Sequence, residues 1–171
     1  DLAGKQAAVG RRGVLKGLLL LAGTGGVGWA GYREVREGPW TADYHTPVGQ
    51  RQALTLADGT QLELNTNTAL DVRYDNHQRL LVLRQGEVMI TSAPDKAGRP
   101  LRVQTANGTV EALGTRFLVR RDADARSTEL AVYQGHVGVL PRDDIGGAMV
   151  KAGDQVRFAH PKLVLASPLD R

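Results

Sequence analysis

Short runs in which apolar and polar residues alternate, each broken by a glycine, recur from residue 54 to residue 158. A period of two matches a strand, whose successive side chains point to opposite faces, and not the 3.6 period of a helix. Leu54-Thr55-Leu56-Ala57 and Gln61-Leu62-Glu63-Leu64 flank Asp58-Gly59. Val103-Gln104-Thr105-Ala106 and Thr109-Val110-Glu111-Ala112-Leu113 flank Asn107-Gly108. Asp or Asn before Gly between such runs predicts a two-residue hairpin, of the type I′ form that needs positive φ at both central positions. No stretch after residue 40 carries a helical period, since Ala93–Ala97 is short and contains Pro94.

A second unit has an apolar strand, a turn glycine and another apolar strand. It runs over Leu80–Ile90 about Gly86, over Leu130–Leu140 about Gly135, and, shortened, over Met149–Phe158 about Gly153. The glycines at 59, 86, 108, 135 and 153 are spaced too unevenly for identical rungs. Loops fall at Thr91–Arg99, Arg121–Ser127 and Pro141–Gly147. The expected fold is all-β, with short antiparallel strands in a sandwich or solenoid-like arrangement and one dry face per strand. Its core candidates are Leu54, Leu56, Leu62, Leu64, Leu81, Leu83, Val88, Ile90, Val103, Phe117, Val119, Val132, Val137, Val139 and Phe158. After Phe158 only Leu163–Leu165 hints at a strand.

The N-terminal tract differs. Residues 13–32 contain one charge, Lys16, and at about 1.5 Å per residue span about 30 Å, the hydrocarbon thickness of a bilayer. Lys16 can snorkel to the headgroups, and Trp29 and Tyr32 stand where amphipathic rings favour the interface. A buried core helix competes with this reading, but no polar stripe divides the run. A cleaved signal peptide also competes, but Trp29 and Tyr32 fall where a cleavage site needs small residues. An uncleaved transmembrane helix preceding the β domain is preferred. Residues 1–32 carry four basic residues against Asp1, a net of +3 of the chain's total +4. That flank stays cytoplasmic by the positive-inside rule, and everything after Arg33 faces out. Arg11-Arg12-Gly13-Val14-Leu15-Lys16 resembles a twin-arginine export signal, with Val14 where Phe is usual.

Much chemistry is excluded. With no cysteine there is no disulfide scaffold, thiol nucleophile or thiolate zinc site. His45, His77, His136 and His160 have no metal-ligand spacing. Asp122, Asp124, Asp143 and Asp144 read as solvated turns rather than calcium ligands. Ser92, Ser127 and Ser167 lie in loop-like contexts without a base. Residues 33–171 hold 18 basic and 17 acidic residues, which reads as an ordinary solvated surface and not as a nucleic-acid interface. No cofactor, metal or small-molecule substrate is expected. One element is suggestive: in Leu113-Gly114-Thr115-Arg116-Phe117 a threonine hydroxyl could attack the preceding carbonyl if the peptide is held strained. Read on composition alone, the same residues are a turn between strands.

The motifs, taken in order, resemble the FecR family. They are Leu54–Thr60, Leu64–Tyr74, Leu83–Val88, Leu113–Arg120, Val132–Val137 and Ala152–Phe158, behind a basic flank and a single span. The resemblance implies a single-span inner-membrane regulator of an extracytoplasmic-function sigma factor, with its N-terminus cytoplasmic and most of its chain periplasmic. It implies a signal from the periplasmic domain of a TonB-dependent outer-membrane receptor, commonly one for an iron siderophore. It also implies a sigma factor bound through a cytoplasmic domain that this chain lacks, so that the chain reads as a fragment. Some members are cut at a periplasmic Gly-Thr bond, which makes Gly114-Thr115 the candidate here. The expected division is a flank over 1–12, a transmembrane helix over 13–32, a linker over 33–44, the β domain over 45–160 and a tail over 161–171. The alternative is an anchored periplasmic carbohydrate- or cell-wall-binding β-module, which requires exposed tyrosines gathered on one face.

Overall fold

The computed structural model describes residues 41–121, 126–142, 146–159 and 162–168. The candidate span 13–32 and the Arg11-Arg12 pair lie outside them. Among the described residues there is no α-helix, and none long and apolar enough to cross a membrane.

Among the described residues thirteen strands form, where the alternation is strongest. They are β1 (Tyr44–Thr46), β2 (Gln52–Thr55), β3 (Gln61–Leu64), β4 (Thr68–Tyr74), β5 (Arg79–Thr91), β6 (Leu101–Gln104) and β7 (Gly108–Ala112). β8 (Arg116–Arg121), β9 (Thr128–Gln134), β10 (His136–Pro141), β11 (Ala148–Lys151), β12 (Asp154–Ala159) and β13 (Lys162–Pro168) follow. They make one sheet bent into two faces. The first face runs β1-β4-β5-β6-β7-β10-β11 and the second β2-β3-β5-β8-β9-β12-β13. The hairpins β2–β3 and β4–β5 lie on the second and first faces, and after β5 the alternation starts again: β6–β7 lies on the first, β8–β9 on the second, β10–β11 on the first and β12–β13 on the second.

β5 belongs to both faces. Its first half pairs with β4 and β6, and its second half with β3 and β8. The change of face falls at Gly86, at φ +88°, inside a continuous 13-residue strand. A Cβ there would come within 2.6 Å of the Thr68 side chain and the Asn67 carbonyl, so only glycine fits. This corrects the expectation of a turn at Gly86 between two short strands. A second correction concerns direction: β6 lies parallel to β5, because the loop 92–100 carries the chain back to the first face before β6 begins. The rest of the ladder is antiparallel.

The turns also differ from the type I′ expectation. Asn67 is the one non-glycine with positive φ among the described residues, so Asp58 and Asn107 are not left-handed. The β2–β3 turn closes with the Gly59 N–H on the Leu56 carbonyl at 2.9 Å, and Gly59 alone takes positive φ. That is the three-residue loop with a bulge glycine, and it leaves the Asp58 carboxylate free for the Thr60 N–H and hydroxyl at 3.0 and 2.8 Å.

The sheet nearly closes into a barrel. The β11–β12 turn reaches across to the β9–β10 corner, with the Ala152 N–H on the Gly135 carbonyl at 3.0 Å and the Gly153 N–H on the Val132 carbonyl at 2.8 Å. Between the faces lies one apolar core, in which Leu62, Leu81, Val88, Phe117, Val132 and Phe158 are sealed from solvent. Fourteen of the fifteen core candidates are buried; Leu54, on the edge strand β2, packs against the core but stays half-exposed. β13 pairs antiparallel with β12, so the ladder continues past residue 160.

Candidate functional site: the Leu113–Phe117 corner

Between β7 and β8 the chain steps from the first face to the second through three residues. Val110 and Ala112 face the core on one side of the step, and Phe117 and Val119 on the other. Both ends are therefore pinned by burial, and the change of direction falls on Leu113-Gly114-Thr115. Leu113 is turned outward and 60% exposed. Gly114 sits at φ +64°, with open space where a side chain would project. Thr115 is 4% exposed.

Two neighbours hold Thr115. Ser92, one residue past the end of β5, accepts a hydrogen bond from the Thr115 N–H on its Oγ at 3.0 Å. Its own N–H donates to the Thr115 carbonyl at 2.9 Å. On the other side the Thr115 methyl packs against Gly135, where a Cβ would come within 2.6 Å of Cγ2. The methyl and the backbone are thus fixed. The hydroxyl is different: Oγ1 is buried and has no hydrogen-bond partner. A buried hydroxyl left unpaired costs about 1–3 kcal/mol. A valine would fill the same space without that cost. The carbonyl that precedes Thr115 belongs to Gly114, the left-handed residue of the corner.

The structure thus places both sequence-nominated residues, Gly114 and Thr115, in one corner. The partner that sequence reading missed is Ser92. The hint lay in its position directly after Thr91, where a strand ends opposite the start of another.

A second polar cluster also escaped the sequence reading. Arg79 is fully buried, at 0% exposure. Its guanidinium donates to Asp58 Oδ2 at 2.8 Å, to the Ala93 carbonyl at 3.0 Å, and to the Arg99 carbonyl at 3.1 and 2.7 Å. It ties the β2–β3 turn to both ends of the loop 92–100. Burial pushes the Asp58 carboxyl up, but the Thr60 N–H and the Arg79 guanidinium outweigh it and hold the group below its ordinary value. Beside them burial, then the charge of Asp58, pushes the Tyr74 phenol up to about 12. The cluster is structural: every Arg79 nitrogen is spent on this chain's own oxygens. Among the described residues no group of three or more His, Asp or Glu could hold a metal ion.

Tyrosines do not gather on one face. Tyr44 and Tyr74 pack against the core, while Tyr133 is exposed. The grouping that a sugar-stacking surface needs is not formed by these three.

The fold is shared with known structures. Two crystal structures of a candidate anti-sigma factor from Parabacteroides distasonis ATCC 8503, at 1.65 and 2.50 Å resolution, superpose with TM-scores of 0.65 and 0.64. Each is 21% identical to this chain over 73% of it, and this chain spans 59% of their length. A family model described as FecR protein matches residues 42–138, more than half of the chain. The chain belongs to the FecR family. No curated protein matches it.

Proposed function

We propose that this chain is the signal-receiving outer part of a regulator of an extracytoplasmic-function sigma factor, and that Gly114-Thr115 is a bond it cuts in itself. The family match over 42–138 supports the regulatory role. The neighbours described as candidate anti-sigma factors agree with it in fold. The apolar tract 13–32 behind a basic flank supports a single membrane span, with the β domain in the periplasm. In that setting the incoming signal comes from a TonB-dependent receptor, such as one for an iron siderophore, and the sigma factor is held by a cytoplasmic domain. The observation that carries the self-cleavage is the buried Thr115 hydroxyl with no partner, next to a left-handed glycine.

The test compares wild type with Thr115→Val in the producing cell. Valine keeps the methyl that packs on Gly135 and removes the nucleophile. Intact-mass measurement of the membrane-extracted protein should give two pieces broken before Thr115 in wild type and one whole chain in the variant. The variant should also melt higher, because a buried unpaired hydroxyl is replaced by a methyl. Transcript profiling after deletion of the gene should shift one coherent gene set that includes an outer-membrane receptor. An unbroken wild type would remove the self-cleavage. An unchanged transcript profile would remove the regulatory role.

A further inference from the structure

We propose that the corner around Arg121 is a binding site for a carboxylate, carried by an acidic side chain on an extended segment of a partner protein. The site stands apart from the Gly114-Thr115 bond and does not depend on its cleavage.

Two arginines stand in core-facing register. Arg79 shares the parity of Leu81 and Leu83 on β5, and its nitrogens are spent on this chain's own oxygens. Arg121 shares the parity of Phe117 and Val119 on β8, but its surroundings differ. Its Nε is buried and has no hydrogen-bond partner. Its cross-strand neighbours are Gly86 on β5 and Thr128 on β9, and neither is charged. Burial alone pushes the guanidinium below its ordinary value, and among the described residues no charge offsets it. A desolvated charge without a counter-charge is costly to keep, and an anion from outside the chain relieves that cost.

Arg121 lines a hollow of about 280 Å³ where β5 changes face. Arg120 and Arg121 against Glu87 leave that lining one net positive charge. Arg120 stands opposite Glu87 across the β5–β8 pair, so the excess charge is that of Arg121. One excess charge suits a singly charged carboxylate better than a phosphate dianion. Asn67 adds donors: Gln85 Nε2 donates to its Oδ1 at 2.9 Å, which leaves the Asn67 amide N–H groups for another acceptor. Asn67 is also held at φ +53°, a kind of backbone that recurs at ligand clamps. A second hollow, of about 530 Å³, shares Asn65 and Glu87 with the first. Ala53, Glu63, Met89 and Leu118 line it and face one another in turn across β2, β3, β5 and β8. Met89 and Leu118 alternate with buried Val88, Ile90, Phe117 and Val119, and so turn apolar surface outward. The two hollows together take more than a small free acid: an apolar side chain on Met89 and Leu118, and a carboxylate at Arg121. Glu63 repels an acid from the apolar end, which fixes the direction of the segment. Leu118 and Arg121 are three residues apart on β8, about 10 Å, so the apolar and acidic residues of an extended segment are spaced likewise.

The experiment follows the arginine Nε–H signals of the full chain, nitrogen-15 labelled and extracted in detergent, by NMR. The probes are an end-blocked peptide Leu-Ser-Ser-Glu, the same peptide ending in Gln, sodium acetate and inorganic phosphate. The Arg121 signal, assigned by its loss in Arg121→Lys, should shift saturably with the Glu peptide. The Gln peptide should bind about 10-fold more weakly or worse, the scale of one charge-assisted hydrogen bond, and acetate and phosphate more weakly than the Glu peptide. Arg121→Met should abolish the difference between the two peptides. Without peptide it should melt a few degrees higher than wild type, because an uncompensated charge is gone. A lower melting point for Arg121→Met would mean that the charge is already paired within the chain, and would overturn the site. If Arg121→Met does not fold, equal binding of the Glu and Gln peptides by wild type overturns it equally. Acetate bound as tightly as the Glu peptide would overturn the partner segment, and phosphate bound more tightly than either would overturn the carboxylate.

Discussion

At the scale of single residues, the buried guanidinium of Arg79 has the largest consequence for stability. Its Nη1 holds Asp58, and its Nε and Nη2 hold the Arg99 carbonyl. Replacing it by methionine leaves the Ala93 and Arg99 carbonyls without a donor and Asp58 without a counter-charge. Arg79→Met should lose about 3–5 kcal/mol of folding stability in urea titration, the range for a broken buried pair. The acid dependence should change with it. The Asp58 carboxyl lies below its ordinary value of 3.8 when folded. Its contribution is therefore fully present above that value and drains away as pH falls through it toward the folded value. In Arg79→Met the carboxyl moves back toward its ordinary value, so the loss of stability on acidification below pH about 4 should be shallower than in wild type. Arg79 was legible in principle. It shares the parity of Leu81 and Leu83, so the alternation of β5 points it inward. A charge in that register reads as an interruption of the pattern until the oxygens that receive it are seen. Those oxygens come from residues 14 to 21 positions away, a separation that no local reading spans. Ser92 illustrates the same limit: its role is set by Thr115, 23 residues on.

Among the elements, β5 is the one that organises the domain. Periodicity identified its residues correctly, because Leu81, Leu83, Val88 and Ile90 are all buried. It did not reveal that they form one strand. A glycine that reverses a chain within one face and a glycine that passes it to the opposite face look alike in sequence. The difference lies in what surrounds Gly86, namely Thr68 and Asn67 from the corner that enters β4. Here the Thr68 hydroxyl donates to the Glu87 carbonyl and accepts from the Glu87 N–H, both at 3.1 Å, and so seals the gap that the corner opens in the ladder. Gly86→Ala would place a methyl against Thr68 at a φ that L residues rarely adopt. The expected cost is about 3 kcal/mol or more, adding backbone strain to steric overlap. Circular dichroism in urea should show the midpoint fall sharply, while Gly98→Ala, with open space around it, should lose only its backbone term.

For the whole molecule, the alternation of hairpins from face to face interleaves the two halves of the chain. Residues up to Gly114 carry β1 to β7, and residues from Thr115 carry β8 to β13. β8 is hydrogen-bonded to β5, and β10 to β7. The two sequence halves thus meet on both faces, and the core is shared between them. Chain broken before Thr115 should remain one particle: in size-exclusion chromatography without denaturant both pieces should elute together at the position of the intact protein, and urea should separate them. Separate elution without denaturant would contradict this pairing.

The corner at Gly114 also decides how the domain bears load. In an unbroken chain, tension between its ends can shear the sheet open but cannot part the two halves, which stay joined by covalent bonds through the corner. With the bond open, the same tension must pass sideways through the β5–β8 and β7–β10 hydrogen bonds. A tether of essentially unlimited strength becomes a fastener with a release threshold, and the shape of the domain need not change for that to happen.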